Sequence, residues 1–356
     1  MNDPRCNKRN IVDYPLNELM FLVISASVSG MNTWTDIQTF GEYKLEWLRN
    51  FFPYKNGIPW HGTLGRVFAR LDNETFGQYF IEWVSTLGEL TCGEVVAIDG
   101  KRIRGSYNKA DGKAAIHMVS AYAHDQGVCL GQLATEQKSN EITAIPKLLD
   151  LLTLKGCTIT IDAMGCQKAI SKKIIAGKAD YILGVKENQK GLLTQIEKVF
   201  GITQPCSTNT EHSLGHGRVE KRICSVIDDL RFFDDYKDWP GITSLLKIEA
   251  EREDKRSGKK EVNTRYYISS KTATAKTFNK DIRSHWAIEN KLHWVLDVAF
   301  NEDASRKRKG NSAANFSLFS KIALALIEKC EEKIPRTRKR LKAMLNDTYR
   351  EKLLGI

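Results

Sequence analysis

Val95-Val96-Ala97-Ile98-Asp99-Gly100 is a short β-rich apolar run that ends in an acid and a turn signal, so it reads as a buried strand. The next segments repeat the theme. Residues 114–124 and 128–137 read as two further strands, joined by the tight turn Asp125-Gln126-Gly127. Residues 142–152 show helical spacing, 157–161 form a strand that closes on Asp162, 166–176 are helical, and 181–185 are another strand. The order β-β-β-α-β-α-β, a meander followed by helical crossovers, predicts an α/β fold: a mixed β-sheet flanked by helices.

Working outward, residues 1–90 read as helical. Segment 16–29 is a compact apolar helix, 33–52 is amphipathic, and 63–71 and 75–87 form a pair across Asp72-Asn73. Either residue can cap the second helix. The pair resembles a helix-turn-helix, though such pairs are also common in plain helical domains. Beyond a helix at 192–200, segments 219–227, 244–251 and 264–270 read as strands separated by polar loops such as 253–260. A helix resumes near 278 and runs to about 298. The expected organisation is an N-terminal helical domain (1–90), a core (91–200), a β-rich insertion (201–275), a core helix region (276–325) and a basic C-terminal tail (326–356).

Composition fits a globular chain, with 42% hydrophobic and 27% charged residues over 356 positions. The apolar run 19–28 is half of what a bilayer needs, so no membrane partner is expected. Arg5, Lys8 and Arg9 precede that run, but Asp13 and Glu18 intervene, which argues against a signal peptide. Eight cysteines (Cys6, Cys92, Cys129, Cys157, Cys166, Cys206, Cys224, Cys330) form no C-x-x-C pair. Free thiols in a reducing cytoplasm are the simplest account, and a disulfide framework or structural zinc is not expected. The net charge of +11 is unevenly placed: residues 305–345 carry 12 Lys/Arg against Glu328, Glu331 and Glu332. Such asymmetry points to a polyanion, with a solubilising tail as the plainer reading.

Asp99 closes the first strand and Asp162 the fourth, and strand ends of an open sheet are where functional groups enter a crevice. If these strands are neighbours, two carboxylates meet, which is unfavourable without a cation or a proton between them. Mg²⁺ suits such a site because it takes carboxylate oxygens and accepts phosphate. Each acid also has a structural reading, an Asp-Gly turn and a helix cap near Cys166. The helix over 281–298 carries His285, Glu289 and His293 at successive i, i+4 spacing on one side, with Trp286, Leu292 and Leu296 as its packing face. That stripe suits a metal or a phosphate, or an exposed surface.

The strand order resembles the RNase H-like fold of DDE transposases and retroviral integrases. Specific stretches resemble the ISAs1 family of insertion-sequence transposases, which includes the H-repeat-associated proteins of rhs elements. They are Ala97-Ile98-Asp99-Gly100-Lys101, 138–146 (KSNEITAIP), 160–168 (TIDAMGCQK), His216-Gly217-Arg218, 265–270 (RYYISS) and 285–294 (HWAIENKLHW), within a resemblance that covers about residues 10 to 320. It implies that Asp99, Asp162 and Glu289 are the catalytic triad and hold two Mg²⁺ ions, or Mn²⁺ in their place, with Asp99 bridging. It also implies cleavage at element ends, joining of the 3′-hydroxyl to target DNA, and a homodimer or larger assembly once two ends are paired, at the bacterial nucleoid in the cytoplasm. Glu289 lies 127 residues beyond Asp162, which the β-rich insertion accommodates. Where the wider IS4-like group has Tyr, Arg and Lys around its Glu, this chain has Ile282, His285 and Leu296. His285, Lys291 and His293 are therefore expected to serve as the phosphate-handling groups, with Lys101, Lys186 and Arg218 as DNA contacts. Asp297 and Asp303 are the other candidates for the third acid. Rival readings are an inactive DNA-binding remnant and a structure-selective nuclease on the same fold.

Overall fold

The computed structural model describes residues 12–108, 112–135, 141–215, 218–255 and 257–356. The motif residues 138–140, His216, Gly217 and the side chain of Arg218 lie outside that description, as do residues 1–11.

The buried run at residue 95 is the start of β1 (Val95–Arg102). It is followed by β2 (His117–Ala123), β3 (Val128–Thr135), β4 (Thr158–Ile161) and β5 (Asp180–Val185). β1 pairs antiparallel with β2 and parallel with β4, which pairs parallel with β5. The spatial order β3-β2-β1-β4-β5 is the RNase H-like mixed sheet. β4 and the first half of β1 (Val95–Ile98) are buried throughout, as strands covered on both faces are. Helices α6 (Glu141–Leu151), α7 (Lys168–Ala176) and α8 (Lys190–Ile202) make the crossovers.

The strands expected as an insertion prolong the same sheet. β6 (Ser207–Gly215), β7 (Arg218–Ile227), β8 (Ser244–Asp254) and β9 (Lys260–Ser269) form an antiparallel meander. β9 pairs with β5, so all nine strands form one sheet in the order β3-β2-β1-β4-β5-β9-β8-β7-β6. On β5, Tyr181, Leu183 and Val185 face the main core, while Ile182 faces a smaller one. That smaller core holds Ala275, Phe278 and Ile282 of α9 (Ala275–His285) against β7 and β8.

Helices α1 (Leu16–Val28), α2 (Trp34–Tyr43), α3 (Leu45–Arg49), α4 (His61–Arg70) and α5 (Asn73–Ser85) precede the sheet. The single helix expected over 33–52 is thus two. Thr33 starts the first with a reciprocal capping box to Asp36, and Asp72 caps α5.

The stretch expected as a basic tail is folded. After α10 (Trp294–Phe300) come α11 (Ser312–Lys329), α12 (Arg336–Leu345) and α13 (Asp347–Leu354). They pack on the N-terminal helices. Arg340 places its guanidinium on the carbonyl of Ser27 at the end of α1, at 2.8 Å, where a helix dipole favours a cation. Arg350 lies buried against the Trp47 ring. Several of the cations counted as polyanion candidates are therefore structural: Lys307, Lys321, Lys339 and Arg340 are buried. Among the described residues no helix is long and apolar enough to cross a membrane.

Candidate active site

Ile98 on β1 pairs with Ile161 on β4 in a parallel ladder. The next residue on each is an aspartate, so Asp99 and Asp162 lie side by side at the same level. Asp162 follows the end of β4, but Asp99 sits inside β1, paired with Ser120 on a strand that runs on to Arg102, rather than closing the strand at a turn as expected. Both line an open cleft of about 760 Å³ with Glu289, Lys186, Arg265, His285 and Trp286. Asp99 is partly buried. Removal from water pushes its carboxyl up to about 7, with Asp162, Glu289 and Glu141 adding to the rise against one backbone hydrogen bond from Gly100. Burial likewise raises Glu289, Asp162 adds to this, and Arg265 opposes it. Three acids far apart in the chain thus interact electrostatically in one cleft. Among the described residues no three His, Cys, Asp or Glu side chains form a closed ligand set, so the acids share the cleft without converging on one point.

Asp162 also has the capping role expected of it, one turn earlier than predicted. One oxygen accepts from Met164 N at 2.9 Å and starts a single 3₁₀ turn, Ala163–Gly165. The two readings are compatible, since a carboxylate has a second oxygen to offer.

Glu289 is not on a regular helix. After α9 the chain takes a π-helical stretch, Ile288–His293, before α10. The wider turn breaks the i, i+4 stripe expected of His285, Glu289 and His293. The exposed Glu289 and the partly buried His285 both line the cleft, while His293 is buried and does not. His285 Nδ1 lies 3.0 Å from Thr160 Oγ1, and burial pushes it down to about 4. His293 Nδ1 lies 3.5 Å from Asp99 Oδ2, and burial with Lys321 and Lys101 nearby pushes it down to about 3. Burial disfavours the charged form of both rings, so a phosphate met by either would meet a neutral N–H. Lys291 is exposed and does not line the cleft.

Lys101, expected as a DNA contact, is committed elsewhere. Its side chain is 10% exposed, and its ammonium pairs with Asp297, with Glu302 at 2.7 Å and more distantly with Asp303. The same network occupies the two alternative third acids. Glu302 in turn accepts from Ser317 Oγ at 2.8 Å. Lys186, by contrast, is exposed at the end of β5 and lines the cleft.

Three features escaped the sequence reading. Arg265 on β9 lines the cleft, and its guanidinium sits 4.9 Å from the Trp286 ring centroid, so Trp286 belongs to the cleft rather than to a packing face. The signal for Arg265 was present in the motif RYYISS. Glu141 and His117 meet beside Asp99 in a buried contact that lacks hydrogen-bond geometry. They close over Gly100, where any Cβ would run into both.

Residues 90–326 match the family described as "Transposase DDE domain", and residues 1–84 match the one described as "DDE_Tnp_1-associated". The chain is 45% identical to "Putative transposase YncI" of Escherichia coli O157:H7, over 99% of this chain and 92% of that protein. It is 39% identical to "H repeat-associated putative transposase YhhI" of Escherichia coli strain K12, over 97% and 93% respectively. Among solved structures, the piggyBac transposase synaptic complex with hairpin DNA aligns with a TM-score of 0.46 at 10% identity, covering 99% of this chain and 76% of that one.

Proposed function

The chain belongs to the DDE-domain transposase family, and from that premise we propose that it cuts DNA at the ends of its element and joins the freed 3′-hydroxyl to target DNA, with Asp99, Asp162 and Glu289 as the acid triad. The observation that carries this is the meeting of three carboxylates in one open cleft, with the most buried one pushed up to about 7 by burial and, to a lesser extent, by its acidic neighbours. The donor set is all oxygen, and its mutual repulsion is what a divalent cation relieves, so the residues fit Mg²⁺ or Mn²⁺. Bound between these acids, such ions would activate the attacking oxygen and stabilise the leaving 3′-oxygen.

The chain's own groups position the substrate. Lys186 and Arg265, on opposite strands of the β5–β9 pair, offer cations to the phosphates on either side of the scissile bond. His293, neutral and against Asp99 Oδ2, fixes the orientation of that carboxylate, while His285 holds Thr160 on the strand that delivers Asp162. Asp162 keeps one oxygen on Met164 N, which restricts its rotation. Positioning and charge neutralisation then supply most of the rate. Pairing two element ends calls for at least two copies of the chain on the DNA, in the bacterial cytoplasm.

The test is strand cleavage and joining of element-end DNA with Mg²⁺. Asp99→Asn, Asp162→Asn and Glu289→Gln should each abolish both steps while DNA binding in EDTA persists. Cutting that survives any one of the three substitutions rules out the triad.

A further inference from the structure

We propose that two loops strapped together beyond the end of β1, residues 102–108 with Lys113 and residues 303–310, form a prebuilt surface that grips the phosphate backbone of duplex DNA beside the cleft; this rests on the transposase reading above. The loops carry Arg102, Arg104, Lys113, Arg306, Arg308 and Lys309, opposed within the two segments only by Asp303 among the described residues. Arg104 is 82% exposed, with its Nε 3.3 Å from Asp303.

The strapping is backbone work. Gly105 N donates to Asp303 O at 2.8 Å, and Arg308 Nε donates back to Gly105 O at 3.2 Å. A Cβ at Gly105 would lie 2.5 Å from Ser305 O, so the loops meet this closely only because residue 105 is glycine. Lys113 Nζ reaches Gly310 O at 3.3 Å. Gly310 itself has φ +50° and sits on Ala69 of α4, which anchors the second loop to the helical layer.

Gathering like charges this way costs stability, so their purpose lies outside the fold. The contrast with the rest of the basic C-terminal region is sharp. There, Lys321, Lys339 and Arg340 are buried, and Arg336 and Lys342 pair with Glu328 and Glu332; within the second loop itself only Lys307 is buried. Arg306 and Lys309 remain exposed, with no hydrogen bond or ion pair from their side chains to any of the described residues.

Position and chemistry name the ligand. Arg102 follows Asp99 by three residues along β1, about 10 Å at the usual strand rise, so the strapped loops begin at the end of the strand that carries Asp99. Tyr107, the one aromatic ring in the first loop, has Arg308 4.6 Å from its centroid and is 38% exposed. Six cations around one half-covered ring suit a duplex backbone rather than a run of unpaired bases, which needs a ring for each base.

The experiment is binding of full-length protein to element-end duplex in EDTA across a salt series, so that the acid triad plays no part. Arg104→Ala/Arg306→Ala/Lys309→Ala should lower the slope of log affinity against log salt by about two to three, at roughly 0.9 per lost phosphate contact, and weaken binding at physiological salt at least about tenfold. Lys329→Ala/Lys333→Ala/Arg338→Ala, which removes equal charge from exposed positions elsewhere, should leave the slope unchanged. If thermal unfolding shows the first variant misfolded, Arg306→Gln/Lys309→Gln takes its place, with an expected fall of about one to two. Unchanged slope and affinity, equal losses from both sets of substitutions, or a loss confined to single-stranded DNA would overturn the proposal. Wild-type protein that binds normally but never cuts contradicts the triad alone.

Discussion

Asp99 is where local environment and proposed chemistry meet. Its folded value of about 7 exceeds the roughly 3.9 of an unfolded aspartate. The acid therefore contributes stability that is fully present below about pH 4 and lost as pH rises through 7. In EDTA, Asp99→Asn should unfold at a higher temperature than wild type at about pH 8, by on the order of 2–4 kcal/mol, and at a similar temperature near pH 4. Adding Mn²⁺ should restore the wild type and leave the variant unmoved; equal melting curves at high pH would show that Asp99 is unstrained. Lys101 makes the opposite case. Removing its ammonium strands Glu302 in the core, so Lys101→Met should cost about 3–5 kcal/mol in a denaturant titration. A variant of full stability that binds DNA less well would return Lys101 to the role first expected of it. The partners that commit Lys101 lie 196 to 202 residues downstream, and no local pattern announces them. Asp99 and Asp162 were legible because each ends a buried apolar run. Glu289 was legible only through its motif.

At the level of elements, the sheet core could be read from the sequence and its extension only in part. β1 to β5 are apolar runs between turn signals, and they emerge within a few residues of their expected bounds. β6 could not be read, because Ser207-Thr208-Asn209-Thr210-Glu211-His212 is polar on both faces, and only pairing with β7 makes it a strand. The π-helical stretch is equally silent in the sequence, although it parts Glu289, which lines the cleft, from the buried His293. β1 itself needs a bare backbone at Gly100, where α6 and β2 bring Glu141 and His117 together. Gly100→Ala should therefore cost about 1–3 kcal/mol and depress cleavage through the adjoining Asp99. Unaltered melting temperature and turnover would mean that the pair yields freely.

On the scale of the whole molecule, chain ends distant in sequence are folded into one layer. Charge alone suggested a tail after residue 325, but its cations carry aliphatic stems and planar groups that cover Phe300, Trp47 and the end of α1. Truncation after Cys330 should thus lower the melting temperature or leave the protein insoluble. A stable truncated protein defective only in DNA binding would revive the tail. The central claim is also one of long-range assembly: β1, the end of β4 and the π-helical stretch bring Asp99, Asp162 and Glu289 to one cleft, where the proposed function has them hold a cation together. Calorimetric titration of the purified protein with Mn²⁺ tests it most directly. Binding should weaken sharply in Asp99→Asn, Asp162→Asn and Glu289→Gln alike, and stay at the wild-type level in Asp303→Asn. Wild-type Mn²⁺ affinity in Glu289→Gln, or its loss in Asp303→Asn, would contradict the account.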